Sequence, residues 1–124
     1  MIMIVDDDVG LAETCSMYLE AHGFEVNIAS SGIDALSQMN GVPHELVISD
    51  YAMPGMNGVQ LSDALKSQPA TASVPVLLMS GSLRSDIAAG SAYDAFIRKP
   101  FLGESLLVAV RKLLDGSHVS PNNT

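Results

Sequence analysis

The chain is poor in cysteine, in tryptophan and in positive charge. Of its 124 residues one is Cys, none is Trp, and only six are Lys or Arg. A lone Cys15 cannot close an internal disulfide, which excludes the stapled scaffolds of small secreted proteins. His22, His44 and His118 stand far apart without ligand spacing, so a zinc site is not expected. No apolar run approaches the ~20 residues that cross a bilayer. Met1 to Val5 lacks the basic start and small-residue cleavage site of a signal peptide. A glycine-rich phosphate loop is missing too, which argues against a nucleotide or flavin site. Fourteen Asp and Glu outweigh the six bases, for a net charge of −8. That balance repels nucleic-acid backbones and anionic membrane surfaces, and it suits a cation. The expectation is a cytoplasmic protein that touches neither nucleic acid nor membrane.

What is present is a core. Apolar residues make up 48 % of the chain, enough for one well-packed domain. Strand-like and helix-like stretches alternate along it. Met1 to Val5 is an unbroken apolar run. Leu11, Cys15, Tyr18 and Leu19 recur at helical spacing, and Gly23 stops that helix. Phe24, Val26 and Ile28 alternate as a strand with one face less buried. Ala35, Leu36 and Met39 mark a short helix ending near Asn40 and Gly41. Leu46 to Ser49 reads as a third strand; Leu61, Ala64 and Leu65 mark a third helix; Val74 to Met79 reads as a fourth strand. A weak fourth helix falls at Leu83 to Gly90, with Phe96 and Ile97 in a fifth strand. Leu106, Leu107, Val110, Leu113 and Leu114 form the clearest helical stripe of all. Five strands alternating with five helices predict an α/β fold, a parallel sheet covered on both faces. The domain is expected to span residues 1–115, with 116–124 as a polar, flexible tail.

In folds of this kind ligands sit beyond the carboxyl ends of the strands. The residues there are Asp6, Asp7 and Asp8 after the first strand, Asp50 after the third, Ser80 after the fourth, and Lys99 with Pro100 after the fifth. A helix N-cap accounts for Asp8. It does not account for Asp50, which ends a different strand beside like charges that disfavour it. A divalent cation removes the conflict, and Mg²⁺ takes oxygen ligands and few carboxylates. Lys99 and the Ser80 hydroxyl suit the oxygens of a phosphoryl group. Asp50 is then either a further metal ligand or a nucleophile, since carboxylates do accept phosphoryl groups.

"IVDDD", "LVISDYAMPGMNG", "VPVLLMSGS" and "FIRKPF", in this order and spacing, resemble the receiver domains of two-component response regulators. The resemblance covers nearly the whole chain. It implies a flavodoxin-like (βα)5 domain with strand order 2-1-3-4-5. It implies that Asp50 accepts a phosphoryl group from a histidine kinase or a histidine phosphotransfer protein. Asp6 and Asp7 match the acidic pair that holds Mg²⁺, for which Mn²⁺ can substitute, with Asp7 as the direct ligand and Asp6 acting through water. The backbone carbonyl of Ala52 matches a third protein ligand. Ser80 matches the switch hydroxyl, Phe96 the switch aromatic, and Lys99 the lysine that contacts the acyl phosphate. The Lys99–Pro100 bond is expected to be cis. Output is expected on the face made by the fourth helix, fifth strand and fifth helix, toward an unknown downstream protein, with the chain a monomer or a phosphorylation-dependent dimer.

The interval from Ser80 to Lys99 is shorter than the family's by roughly one helical turn, so the fourth helix is expected to be short or irregular. Such a domain is not a conventional enzyme, although it promotes its own phosphorylation and dephosphorylation. Two other readings use the same residues. A small Mg²⁺-dependent aspartyl-phosphate phosphatase would need an acid two positions after the nucleophile, where Ala52 stands. A receiver-like scaffold that is never phosphorylated would not need the full set of Asp6, Asp7, Asp50, Ser80 and Lys99. Cys15 is expected as core, Arg98 as a solvated charge, and the seven Met mostly as filler, with Met53 and Met56 in the loop after Asp50.

Overall fold

The computed structural model describes residues 1–82, 87 and 92–116. Five parallel strands form one sheet: β1 (Ile2–Val5), β2 (Val26–Ala29), β3 (Leu46–Asp50), β4 (Val76–Ser80) and β5 (Ala95–Arg98), in the order β2-β1-β3-β4-β5. Four helices are described: α1 (Val9–Ala21), α2 (Gly32–Met39), α3 (Gly58–Lys66) and α4 (Gly103–Gly116), the last being the fifth helix of the sequence pattern. The weak helix at 83–90 and the tail at 117–124 lie outside the described residues, apart from Ile87, whose side chain is buried.

Alternation along the strands sorts the core into two layers. Ile2, Ile4, Leu46, Ile48, Leu77 and Met79 pack with Cys15 and Leu19 of α1 and with Leu106 and Val110 of α4. Met3, Val5, Val47 and Val76 pack on the other face with Ala35 and Met39 of α2 and Leu61 and Leu65 of α3. Strands β1, β3 and β4 are buried along their whole length, as continuous apolar runs require; the edge strands β2 and β5 are only partly covered. Each fully buried Leu or Ile contributes about 1.5–3 kcal/mol.

Side chains start three of the helices: Asp8 caps α1, Ser31 caps α2, and Asn57 caps α3 in a reciprocal box with Gln60. Gly23 and Gly41, at φ 91° and 75°, carry the chain out of α1 and α2. Strand β4 begins one residue beyond Pro75, later than the apolar run suggests, because Pro75 has no N–H for a ladder. Its carbonyl still accepts from the Val47 N–H at 3.0 Å.

Candidate functional site

The register carries Asp50 to the rim. Ile2 pairs with Leu46 and Val5 with Ser49 across β1 and β3, so Asp6 and Asp50 leave adjacent strands at the same level. Asp50 pairs with Met79 on its other side, and Ser80 ends β4 one position later. Ser80 in turn pairs with Arg98, which puts Lys99 next along the rim, its N–H donating to the Ser80 carbonyl at 2.8 Å.

The side chains converge as well. One carboxylate oxygen each from Asp6, Asp7 and Asp50 lie within 4.8 Å of one another. Asp6 is 1 % exposed and Asp50 7 %, whereas Asp7 is exposed. Buried carboxylates cost free energy unless they are paired. Lys99 supplies the pairing: its Nζ lies 3.0 Å from Asp50 Oδ1 and 3.2 Å from Asp6 Oδ2. The other oxygen of Asp6 accepts the Asp8 N–H at 2.9 Å.

One ammonium cannot neutralise three acids. Burial pushes the Asp50 carboxyl above its ordinary value; the Lys99 hydrogen bond pulls it back, and the charges of Asp6 and Asp7 push it further up. Burial alone would lower the Lys99 ammonium. Its hydrogen bond and charge contact with Asp50, then those with Asp6, outweigh this and hold it protonated above its ordinary value. A hard cation fits the remaining deficit. All three donors are oxygens, the ligand type that Mg²⁺ takes.

The floor of the site is rigid backbone. Gly58 opens α3 directly beneath the end of β3. A Cβ there would meet the Asp50 carbonyl oxygen and Leu78 Cδ1 at 2.5 Å each. The turn-rich stretch MPGMNG leads one to expect conformations costly to other residues at both Gly55 and Gly58; only Gly55 has positive φ, at 76°, and Gly58 is needed for its lack of volume. The Ser49 hydroxyl, fully buried, donates to the Asp50 carbonyl at 2.9 Å. Sequence reasoning passed over Ser49, although a hydroxyl in an otherwise apolar strand is a visible signal.

The other residues singled out in the sequence fall around this centre. Ser80 is 3 % exposed, and its hydroxyl accepts the Ser82 N–H at 3.0 Å. Ala52 is exposed in the loop two residues past Asp50. The Lys99–Pro100 bond is cis. Phe96 is half-buried opposite Leu78, two rows below the rim, and so away from the carboxylates. Met53 is buried against the α2–α3 layer, and Met56 covers Gly32. Cys15 is buried core, its thiol pushed up by burial and then by the Asp6 charge. Arg98 is exposed.

A family model of the response regulator receiver domain matches residues 2–111. The chain belongs to that family. Among curated relatives, the DNA-binding response regulator MtrA of Mycobacterium tuberculosis is 33 % identical over 116 residues, covering 91 % of this chain and 50 % of MtrA. The CpxR homolog of Haemophilus influenzae, a transcriptional regulatory protein, is 31 % identical over 98 % of this chain and 53 % of its own length. The chain thus spans about half the length of the curated relatives it matches. Among solved structures, the signal receiver domain of a signal transduction histidine kinase from Syntrophus aciditrophicus superimposes with a TM-score of 0.87 at 32 % identity, covering 99 % of this chain and 96 % of that one. The chemotaxis protein CheY4 of Vibrio cholerae gives 0.85 at 26 % identity, covering 91 % of this chain and 97 % of CheY4. The strand order and the parallel (βα) plan of the receiver are those implied by the sequence resemblance. No described helix of this receiver is long and apolar enough to cross a membrane.

Proposed function

We propose that this receiver domain takes a phosphoryl group onto Asp50 from a phosphohistidine, carried by a histidine kinase or a histidine phosphotransfer protein, in a Mg²⁺-dependent reaction. The observation that carries the reading is the convergence of the Asp6, Asp7 and Asp50 carboxylates on one point, with Lys99 bridging two of them. An oxygen of Asp50 forms a bond to phosphorus while the P–N bond breaks and the imidazole nitrogen keeps the electron pair. An acyl phosphate results. Asp6, Asp7, Asp50 and the Ala52 carbonyl hold the metal, Mg²⁺ or Mn²⁺, which when bound neutralises charge on the phosphoryl oxygens. Lys99 moves from carboxylate pairing to the transferred group, and the Ser80 hydroxyl donates to a phosphoryl oxygen. Withdrawal of Ser80 toward the phosphate opens space for Phe96 to pack inward, shifting the population of states on the β5–α4 side.

Residues 1–115 form the receiver unit and 116–124 a polar tail. The protein acts in the cytoplasm as a signalling module, not as a conventional enzyme, and engages a downstream protein as a monomer or a phosphorylation-dependent dimer. The test is incubation with acetyl phosphate and Mg²⁺ followed by intact-mass measurement. Wild type should gain one phosphoryl group and Asp50→Asn none. No gain by wild type, or an equal gain by Asp50→Asn, overturns the assignment.

A further inference from the structure

Asp8 stands next to the acidic pair but outside the group of acids whose oxygens converge. Its contacts run in two directions. Toward α1, its Oδ1 accepts the Leu11 N–H at 3.1 Å and its carbonyl accepts the Ala12 N–H at 3.0 Å, with extended backbone at φ −82° and ψ 94°. Toward the site, its own N–H donates to Asp6 Oδ1 at 2.9 Å. Asp6 is 1 % exposed and has one donor on each oxygen, this amide and the Lys99 ammonium. If the ammonium leaves Asp6 for a phosphoryl group, the Asp8 amide is the donor that still orients Asp6.

We infer that Asp8 is a positioning residue for the cation site: by capping α1 it fixes the amide that aims the Asp6 carboxylate, and its own charge is incidental. The inference rests on the Mg²⁺ reading above. Outer donors of this kind orient metal ligands, and their loss weakens metal binding. Asparagine retains the capping oxygen without the charge; alanine retains neither.

The experiment compares wild type, Asp8→Asn, Asp8→Ala and Ser31→Ala, all as the full chain. Ser31→Ala removes the equivalent cap from α2, where the Ser31 hydroxyl accepts the Asp34 N–H at 3.0 Å, and controls for general loss of stability. Mg²⁺ affinity is read by calorimetry at high ionic strength, which screens the exposed charge at position 8. Asp8→Ala should weaken binding about tenfold, while Asp8→Asn and Ser31→Ala stay close to wild type. In metal-free protein, hydrogen exchange at the residue-8 amide should accelerate in Asp8→Ala and stay slow in Asp8→Asn. Equal losses of affinity in Asp8→Asn and Asp8→Ala would show that charge is what matters and overturn the inference. So would unchanged amide protection in Asp8→Ala. Failure of wild type itself to bind Mg²⁺ overturns the cation reading separately, and the exchange measurement then decides the positioning role alone.

Discussion

Lys66 and Lys99 each bridge to aspartate, at opposite ends of the same sheet. At the amino end, Lys66 Nζ donates to Asp94 Oδ2 at 2.8 Å and to the Val74 carbonyl at 2.7 Å, and the same Asp94 oxygen accepts the Val76 N–H at 2.7 Å. One positive charge meets one negative charge, and the contact ties the end of α3 to the starts of β4 and β5. At the carboxyl end, Lys99 meets two buried acids with a third exposed beside them. The first arrangement is complete in itself. The second leaves negative charge over, in a place where water screens it little, so it gains from a further cation. Identical residue types thus make a structural tie at one end and the proposed phosphoacceptor site at the other, and the difference is stoichiometry and burial.

The comparison breaks most visibly in phosphoryl uptake. Lys99→Ala should slow uptake from acetyl phosphate by about 100-fold or more, the loss typical of one pre-organised electrostatic donor. Lys66→Ala should leave it unchanged. Intact-mass time courses under identical Mg²⁺ check both, and equal slowing by the two variants would dissolve the distinction.

Next in size is a steric test of how rigid the reacting end is. Gly58→Ala places a methyl 2.5 Å from the Asp50 carbonyl oxygen, which is backbone and cannot turn aside. A destabilisation of about 3 kcal/mol is expected, read from the urea midpoint. Gly32→Ala also meets a neighbour, the Met56 side chain at Sδ 2.7 Å, Cγ 2.9 Å and Cβ 3.1 Å, of which Sδ and Cγ can turn aside while Cβ can only shift slightly. Its cost should be about 1–2 kcal/mol, below that of Gly58→Ala.

Asp94→Ala comes third. It strips the Val76 N–H and the Lys66 ammonium of an acceptor at a site that is only partly buried, so about 1–2 kcal/mol of stability should go. Mg²⁺ affinity should not change. A matching loss of metal binding would mean that the two ends of the sheet are coupled.

How much of this was legible beforehand differs between the same two ends. The rim residues Asp6, Asp50, Ser80 and Lys99 each follow an apolar strand, so the alternating pattern sorted them to one edge without coordinates. The Lys66–Asp94 tie gave no such signal. Its members are 28 positions apart, one closing a helix and one preceding a strand. Nothing in periodicity brings a helix end to a strand start. The direct Asp6–Lys99 contact was hidden for a related reason: the strand order implied by the resemblance says which strand ends are neighbours, not how far a long side chain reaches along them. Gly58 was seen but given the wrong cause, because turn-rich composition suggests backbone freedom before it suggests crowding.

The smallest effect sharpens the comparison most, because its sign is unusual for a salt-bridged acid. A paired aspartate normally has a lowered pKa and adds stability above it. Asp50 is raised instead, since burial and the Asp6 charge outweigh the Lys99 bond. In the window between its ordinary and its folded value the native state holds more protons than the unfolded state. Stability of the metal-free protein therefore falls as pH climbs through that window, and the deficit is complete above it. Asp50→Asn carries no such deficit. It should be more stable than wild type at neutral pH without metal, with the gap closing as pH drops below about 4. Added Mg²⁺ should narrow the gap from the other side, by stabilising wild type more than the variant. Thermal melts across pH, with and without Mg²⁺, measure all three. If Asp50→Asn is the less stable protein in every condition, the acids at this end are satisfied by Lys99 alone, and the two lysines differ only in position.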